Sequence, residues 1–413
     1  MITVQDAHRM IRESVGELPL EYQPLSRLQG RVLGEDVVAP FPLPRFTNAA
    51  MDGFALRRSD IEGASQDTPV RLQVVSEVAA GAMPGVPVLQ GSCAQIMTGA
   101  PLPDGADTVV AFEQTSGFGS REVSIFSAPK RGTNIRYAGE EVACSSVLLR
   151  QGTPVASAEI AVLATLGIEG VLAGGVPRVA LVTVGDELRM PGEALEGAAI
   201  YNSNRFMLQA LCRAWGIEPT LLLHAPDDRA ALRGVLAEAL AGCDMLVTAG
   251  GISTGEYDYV QELLGETGVA ARFWRVAQKP GKPLYFGTTG DNRPVFALPG
   301  NPVSAMTCFH EYVVPALCLQ QGRAVPEKIE ALLAEPFPAD KKRYRFLPGT
   351  IWQENGRLYC RVSRKVESHM ITSLAGADGI IESGPAPDAL AAGSAVTCSL
   401  FPWSGVRRSA GLV

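Results

Sequence analysis

The stretch VALVTVGDEL, residues 179–188, runs through six apolar or β-branched residues without a charge and then stops at Gly185-Asp186-Glu187. A strand buried on both faces of a sheet reads as such a continuous apolar run. The spacing predicts a helix in NSNRFMLQALCRAWG (202–216), with Asn202 or Ser203 as its cap and Gly216 as its stop. The alternation continues through the run TLLLHA (220–225), a helix in DDRAALRGVLAEALAG and the run DMLVTAGG. Beyond these lie a helix from Asp258 to Leu264, strands FWRVAQ (273–278), PLYFGT (283–288) and RPVFALPG (293–300), and a long helix from Pro302 to about Leu319. Strands alternating with helices of this length predict a doubly wound α/β domain over about residues 176–323.

Outward from that domain the texture changes. Residues 36–135 hold short β-rich runs such as VRLQVVSEV, DTVVAFEQ and EVSIF, punctuated by Gly and Pro, and read as an inserted β-rich module. Before it, Thr3 can cap a helix whose Val4, Ala7, Ile11 and Val15 share one face. After it, SAEIAVLATLGI (157–168) reads as a helix capped by Ser157 and ending near Gly167. Residues 325–413 return to short alternating runs (RLYCRVS, GIIES, SAVTCSLF), so a small C-terminal β domain is expected. The fold class is therefore α/β and β multidomain.

The composition narrows the function classes. Of 413 residues, 46% are hydrophobic and 19% charged, which is enough apolar material for large cores and argues against global disorder. The formal net charge of −7 argues against a nucleic-acid-binding face. The most apolar region, 155–184, is interrupted by Glu159, Glu169 and Arg178, so no membrane span is expected. MITVQDAHRMIRES lacks a basic segment followed by an apolar one, so no signal peptide is expected either. Eight cysteines without a C-x-x-C, beside four histidines, make zinc an unattractive ligand and point to reduced thiols in a cytoplasmic enzyme.

In an open α/β sheet, ligands bind outside the carboxyl ends of the strands. Here those ends carry Gly185-Asp186-Glu187, Pro226-Asp227-Asp228, GGISTGEYD ending at Asp258, Lys279-Pro280-Gly281-Lys282-Pro283 and LPGNPVS (298–304). In LPGNPVS, Gly300 supplies permissive backbone, Asn301 can cap and Pro302 suits the first helical position, so free N–H groups near Ser304 face an anion. The bland alternative is a well-capped helix with no ligand. In KPGKP two lysines are held on one stiff turn, and two ammonium groups held together call for an anion. The two turns together predict a pocket for a phosphate or another tetrahedral oxyanion. Asp186, Glu187, Asp227 and Asp258 are candidate Mg²⁺ ligands, with helix capping as the alternative for Asp227 and Asp228. Gly251-Ile252-Ser253-Thr254-Gly255 fits G-x-S-x-G between a strand and a helix, which leaves a serine hydrolase open; a backbone nest for an anion or pterin-like ring is the competing reading.

Taken together, NAAMDGFA (48–55), IMTGAPLPDGADTVV (96–110), IRYAGEEV (135–142), VTVGDEL (182–188), IYNSNR (200–205), TAGGISTGEYDYV (248–260), KPGKPLYFG (279–287) and LPGNPVSA (298–305) resemble the molybdopterin molybdenumtransferases, the MoeA proteins related to the C-terminal part of gephyrin. The resemblance spans essentially the whole chain. It implies a central MogA-like α/β domain at 176–323, a β-rich domain at 41–136 inserted into a subdomain made of 1–40 and 137–175, and a C-terminal β domain at 324–413. It also implies a homodimer, and insertion of molybdate into the dithiolene of adenylylated molybdopterin, with Mg²⁺-dependent release of AMP. The upstream donor would be a MogA-like molybdopterin adenylyltransferase. By position, Lys279, Lys282, Pro283, Ser304 and Arg343 correspond to a molybdate site, with Arg345 close to the last. Asp52, Thr98, Glu187, Asp227 and Asp258 correspond to catalytic residues, the last three also to metal ligands. Gly250, Gly251, Ser253, Gly300 and Asn301 correspond to the pterin side. Two positions depart from the family's pattern: Glu141, where an Asp is usual, and Glu367, where a Gly is usual, whose charge is expected to disfavour phosphate nearby. Three function classes follow: the transferase, a hydrolase using Ser253, and a non-catalytic anion-binding scaffold.

Overall fold

A computed structural model describes residues 1–252, 259–364 and 367–404. Two compact units divide the chain: Met1–Gly34, Pro154–Ser157 and Gly170–Val413 form one, and Glu35–Thr153 with Ala158–Glu169 the other.

The larger unit is built on the strand Val179–Val184. It lies between Leu221–Ala225 and Met245–Ala249, parallel to both, and Pro294–Leu298 extends the parallel set. Its apolar run is explained by two cores. Val179 and Leu181 pack into one with Val247, Phe296 and the helix residues Leu208 and Leu211. Ala180, Val182 and Val184 pack into the other with Leu232, Leu236 and Leu263. All six strand residues are buried, so a charge anywhere in the run would be stranded on one face or the other. Asn202 is the cap of the helix Ser203–Ala214, its side chain accepting from the Arg205 N–H, and Gly216 at φ 77° closes that helix. Thr3 caps Val4–Ser14 in the same way.

The expectation for FWRVAQ is corrected. The strand covers Ala270–Trp274 and is the edge of the sheet, antiparallel to Tyr285–Thr288. It breaks at Arg275, whose φ is 69°, and the chain then places Gln278–Lys279 in another sheet, parallel to Tyr344–Arg345. KPGKP therefore does not follow a parallel strand of the doubly wound sheet. The long helix from Pro302 runs to Gln320, but Phe309–Val313 form a widened π-turn. That turn precedes Pro315, which has no N–H to return to Glu311.

The C-terminal strands close into a barrel. Tyr344–Glu354 pairs with Arg357–Val362, which leads through Ile329–Leu333 and Ala395–Leu400 to Gly379–Ser383 and back to Tyr344–Glu354. Closure removes free edges except where Gln278–Lys279 adds itself. In the same unit, Lys328 Nζ meets buried Glu311 at 2.7 Å and also contacts buried Glu382. The Ser399 hydroxyl donates to Glu311 at 3.0 Å.

The smaller unit is the β-rich module: a sheet in the order Thr108–Ala111, Gly53–Leu56, Ser92–Ile96, Val70–Val78, Glu122–Ile125. Phe54, Leu56, Leu72, Cys93 and Val110 lie in its core. The helix Ser157–Thr165 ends two residues before Gly167, whose φ is 71°, close to the expected end. Among the described residues, no helix is long and apolar enough to cross a membrane. The cysteines are free thiols, and only Cys144 is exposed.

Candidate active site

At the carboxyl ends of the parallel strands lies a cavity of about 830 Å³. Glu187, Asp227, Gly250, Gly251, Gly300 and Asn301 all line it, as does Pro283 of the lysine turn. These sequence candidates come from five separate loops, four of which follow parallel strands of the sheet and meet at its one edge.

Each loop is held by an identifiable contact. Asp186 and Asp227 tie the first two strand ends together through their backbones. Asp228, in contrast, caps the helix Arg229–Gly242 by accepting from the Ala231 N–H at 2.8 Å. The adjacent acids thus divide between a helix cap and the cavity wall. Gly250 has φ 100°, and a Cβ there would sit 2.4 Å from the Val184 carbonyl oxygen, so the strand-to-loop turn admits only glycine. Asn202 also donates through Nδ2 to the Thr183 hydroxyl at 2.7 Å, fixing the helix start against its strand.

Asn301 departs from its expected role. It precedes Pro302 but makes no side-chain cap; its Nδ2 donates to Ser368 Oγ at 3.2 Å. The barrel segment that supplies Ser368 also places His369 and Ile371 in the cavity wall. Sequence reasoning did not pick out Ile371, nor Tyr201 and Asn204, although IYNSNR carried the latter pair. Asn204 Nδ2 donates to the Gly300 carbonyl at 2.7 Å, clasping the glycine turn.

The oxyanion candidates cluster beside this cavity. Gly281, at φ 87°, lets the turn press onto the long helix: a Cβ there would lie 2.5 Å from Cys308 Sγ. Gln278 Nε2 donates to the Gly281 carbonyl at 3.1 Å from within. Ser304 is buried beneath, its carbonyl facing Gly281. Lys282 is exposed. Lys279 Nζ stands 3.9 Å from a carboxylate oxygen of Glu367. Arg343 donates two guanidinium N–H bonds to Asp340, at 3.0 and 2.7 Å, and the backbone N–H of Lys342 together with that contact pulls the Asp340 carboxyl down to about 2. Arg345 lies in register beside Lys279 in the paired strands, and its buried Nε has no hydrogen-bond partner.

In the smaller unit, Asp52 Oδ1 accepts from the Thr98 N–H at 2.7 Å and from its hydroxyl at 2.8 Å, which holds the carboxyl below its ordinary range. Asp258 and Ser253 lie outside the described residues. Among the described residues, no three His, Cys, Asp or Glu side chains group at metal-holding spacing. Glu187 and Asp227 are nonetheless hard oxygen donors on the cavity wall, the chemistry that Mg²⁺ takes from protein when substrate phosphates complete its shell. A second cavity, of about 600 Å³, is lined by His8, Glu311, Lys328 and apolar side chains and holds none of the candidates.

This fold and site define a multidomain protein with a strand-end cavity in its doubly wound α/β domain, and comparison with known proteins is consistent along the chain. Residues 2–167 match the MoeA N-terminal region (domain I and II), 180–318 the "Probable molybdopterin binding domain" and 330–401 the MoeA C-terminal region (domain IV). The chain belongs to the molybdopterin molybdenumtransferase family, transferases of molybdenum cofactor biosynthesis. It is 33% identical over 389 residues to molybdopterin molybdenumtransferase 2 of Mycobacterium tuberculosis, covering 92% of this chain and 95% of that one. It is 31% identical over 424 residues to the molybdopterin molybdenumtransferase of Bacillus subtilis, covering 100% and 98%. The crystal structure of a molybdopterin biosynthesis MoeA protein from Pyrococcus horikoshii superposes with a TM-score of 0.77 at 30% identity, covering 97% of this chain and 100% of that one. The comparisons lend no support to the hydrolase and scaffold readings.

Proposed function

We propose that this protein inserts molybdate into the dithiolene of adenylylated molybdopterin and releases AMP in a Mg²⁺-dependent step. The observation that carries the reading is the juxtaposition of a strand-end cavity walled by Glu187 and Asp227 with a two-lysine turn beside it. The cavity takes the pterin and its phosphates along Gly250, Gly251, Gly300 and Asn301, with Ser253 joining them by the family pattern. Glu187 and Asp227, with Asp258, hold Mg²⁺, which supplies charge neutralisation at the phosphate oxygens when bound. Lys279, Lys282, Pro283 and Ser304 seat the tetrahedral oxyanion; Arg345 suits the remaining place better than Arg343, because Asp340 already occupies Arg343. Asp52 and Thr98 belong to the catalytic set by the family pattern, and their mutual hydrogen bonds keep the carboxylate ionised. The working form is a homodimer in the cytoplasm, supplied by a MogA-like adenylyltransferase.

The test uses the purified full chain with adenylylated molybdopterin, molybdate and Mg²⁺. AMP and finished cofactor should appear in equal amounts and both should cease with a chelator. AMP release without cofactor formation, or no turnover at all with intact substrate, overturns the proposal.

A further inference from the structure

Three charged groups from different parts of the chain meet at the lysine turn. Lys279 comes from the short strand Gln278–Lys279, Arg345 from the barrel strand paired with it, and Glu367 from the segment that also carries Ser368 and His369. Two cations side by side repel, and here the nearest compensation is one carboxylate at 3.9 Å from Lys279. Asp340, and after it the same Glu367 carboxylate, act electrostatically on Arg345, whose buried Nε is left without an acceptor. An unpartnered guanidinium N–H beside an ammonium group is a place for a multidentate anion, which one carboxylate satisfies only in part.

We propose that Glu367 is an internal competitor for the oxyanion seat: its carboxylate occupies Lys279 in the free protein and must leave for a tetrahedral oxyanion to bind Lys279 and Arg345 together. The proposal rests on the assignment of the lysine turn to molybdate. Displacement sets a threshold. An anion that reaches only Lys279 gains no more than Glu367 already provides, whereas one that spans Lys279 and Arg345 gains the second contact. Glu367 thereby lowers the affinity of every displacing anion by one common factor, so that only an anion spanning both cations still binds with a net gain.

The contact is more than half exposed on the carboxylate side, so its removal should change affinity modestly. Calorimetric titration of the full-length protein with molybdate is the measurement. Glu367→Gln should bind molybdate about two- to fivefold tighter, and the gain should shrink as salt is raised. Perrhenate, a tetrahedral anion of similar size with a single charge, should gain by the same factor, because displacing Glu367 costs the same whichever ligand displaces it. A larger gain for the dianion than for the monoanion would mean that Glu367 acts only as a distant repelling charge, and would overturn the competition. In a Lys279→Ala background, Glu367→Gln should bring no gain, since the contact it relieves is already gone. If Lys279→Ala and Lys282→Ala both bind molybdate like wild type, the seat lies elsewhere and the functional assignment itself fails. If those variants lose binding while Glu367→Gln is unchanged or weaker, the seat stands and the competitor role is refuted.

Discussion

Asp186 and Asp227 each accept the other's backbone N–H: Asp227 Oδ2 takes that of Asp186 and Asp186 Oδ1 that of Asp227, both at 3.1 Å. The loops after two neighbouring strands are thus locked in register at the cavity mouth, and the lock needs acceptor oxygens and not charge.

That separates two roles of Asp227. Asp227→Asn keeps an acceptor oxygen, so thermal stability should change by less than about 0.5 kcal/mol. Loss of the charge should lower Mg²⁺-dependent AMP release by tenfold or more, on the order of one charge-assisted contact. Asp228→Ala should do the reverse, costing about 1 kcal/mol as a lost helix cap with turnover retained. Melting curves and AMP assays on the two variants check both statements; equal behaviour would mean that the neighbours are not divided in this way.

The two arginines of the barrel strand should behave differently. Arg345→Ala should weaken molybdate binding by about tenfold, as expected for one charge-assisted contact. Arg343→Ala should leave affinity within about twofold, because Asp340 already holds that guanidinium in a part-buried ion pair. Calorimetry at fixed ionic strength reads both. The opposite ranking would return the role to Arg343.

Gly281→Ala should distort the lysine turn. The added methyl would meet Cys308 Sγ at 2.5 Å and Gln278 Nε2 at 2.7 Å, and the residue would be strained at φ 87°. A stability loss of roughly 1–3 kcal/mol with weakened molybdate binding is expected. Cys308→Ala should partly rescue it by clearing the nearer contact, and a calorimetric melt of the double variant shows whether it does.

The buried Glu311–Lys328–Glu382 cluster should give the protein a pH signature. Burial, with Glu311 beside it, pushes the Glu382 carboxyl up to about 7. A carboxyl raised in the fold keeps its proton where the unfolded chain has lost it, so its contribution to stability is full at low pH and falls as pH rises towards 7. Burial lowers His8 to about 4, which works in the opposite direction by removing stability as pH falls below the ordinary imidazole range. Glu382→Gln deletes the first trend and leaves the second. The variant should match wild type near pH 4.5 and become more stable by up to roughly 3 kcal/mol by pH 8. Urea titrations across that range test it, and a stability difference that does not grow with pH would rule the cluster out as its source.

Much of this was legible in the chain. The run Val179–Val184, the caps Thr3 and Asn202, the stop at Gly216 and the glycine turns are local features in which propensity and burial pattern agree. What escaped depended on distant partners. FWRVAQ is β-rich throughout, but Arg275 turns because the following residues pair with a barrel strand far along the chain. Asn301 looks like a cap until Ser368 offers an acceptor. Asp227 and Asp228 are equivalent in sequence and are told apart only by where the neighbouring strand ends. The meeting of Glu367 with Lys279 spans nearly ninety residues.

The pairing of Gln278–Lys279 with Tyr344–Arg345 has a consequence for modularity. The barrel closes on itself, and a single cut near residue 325 divides its sequence from that of the α/β domain. Such a cut would sever only the connecting peptide and leave Lys279 bonded alongside a strand of the other piece. Excised alone, the α/β fragment would lose the backbone partners that hold its lysine turn open. The barrel alone would expose the edge that those two residues cover. Grafting either piece between relatives should therefore succeed only when this two-residue splice travels with it, which makes the oxyanion turn the joint at which the two domains were fitted to each other.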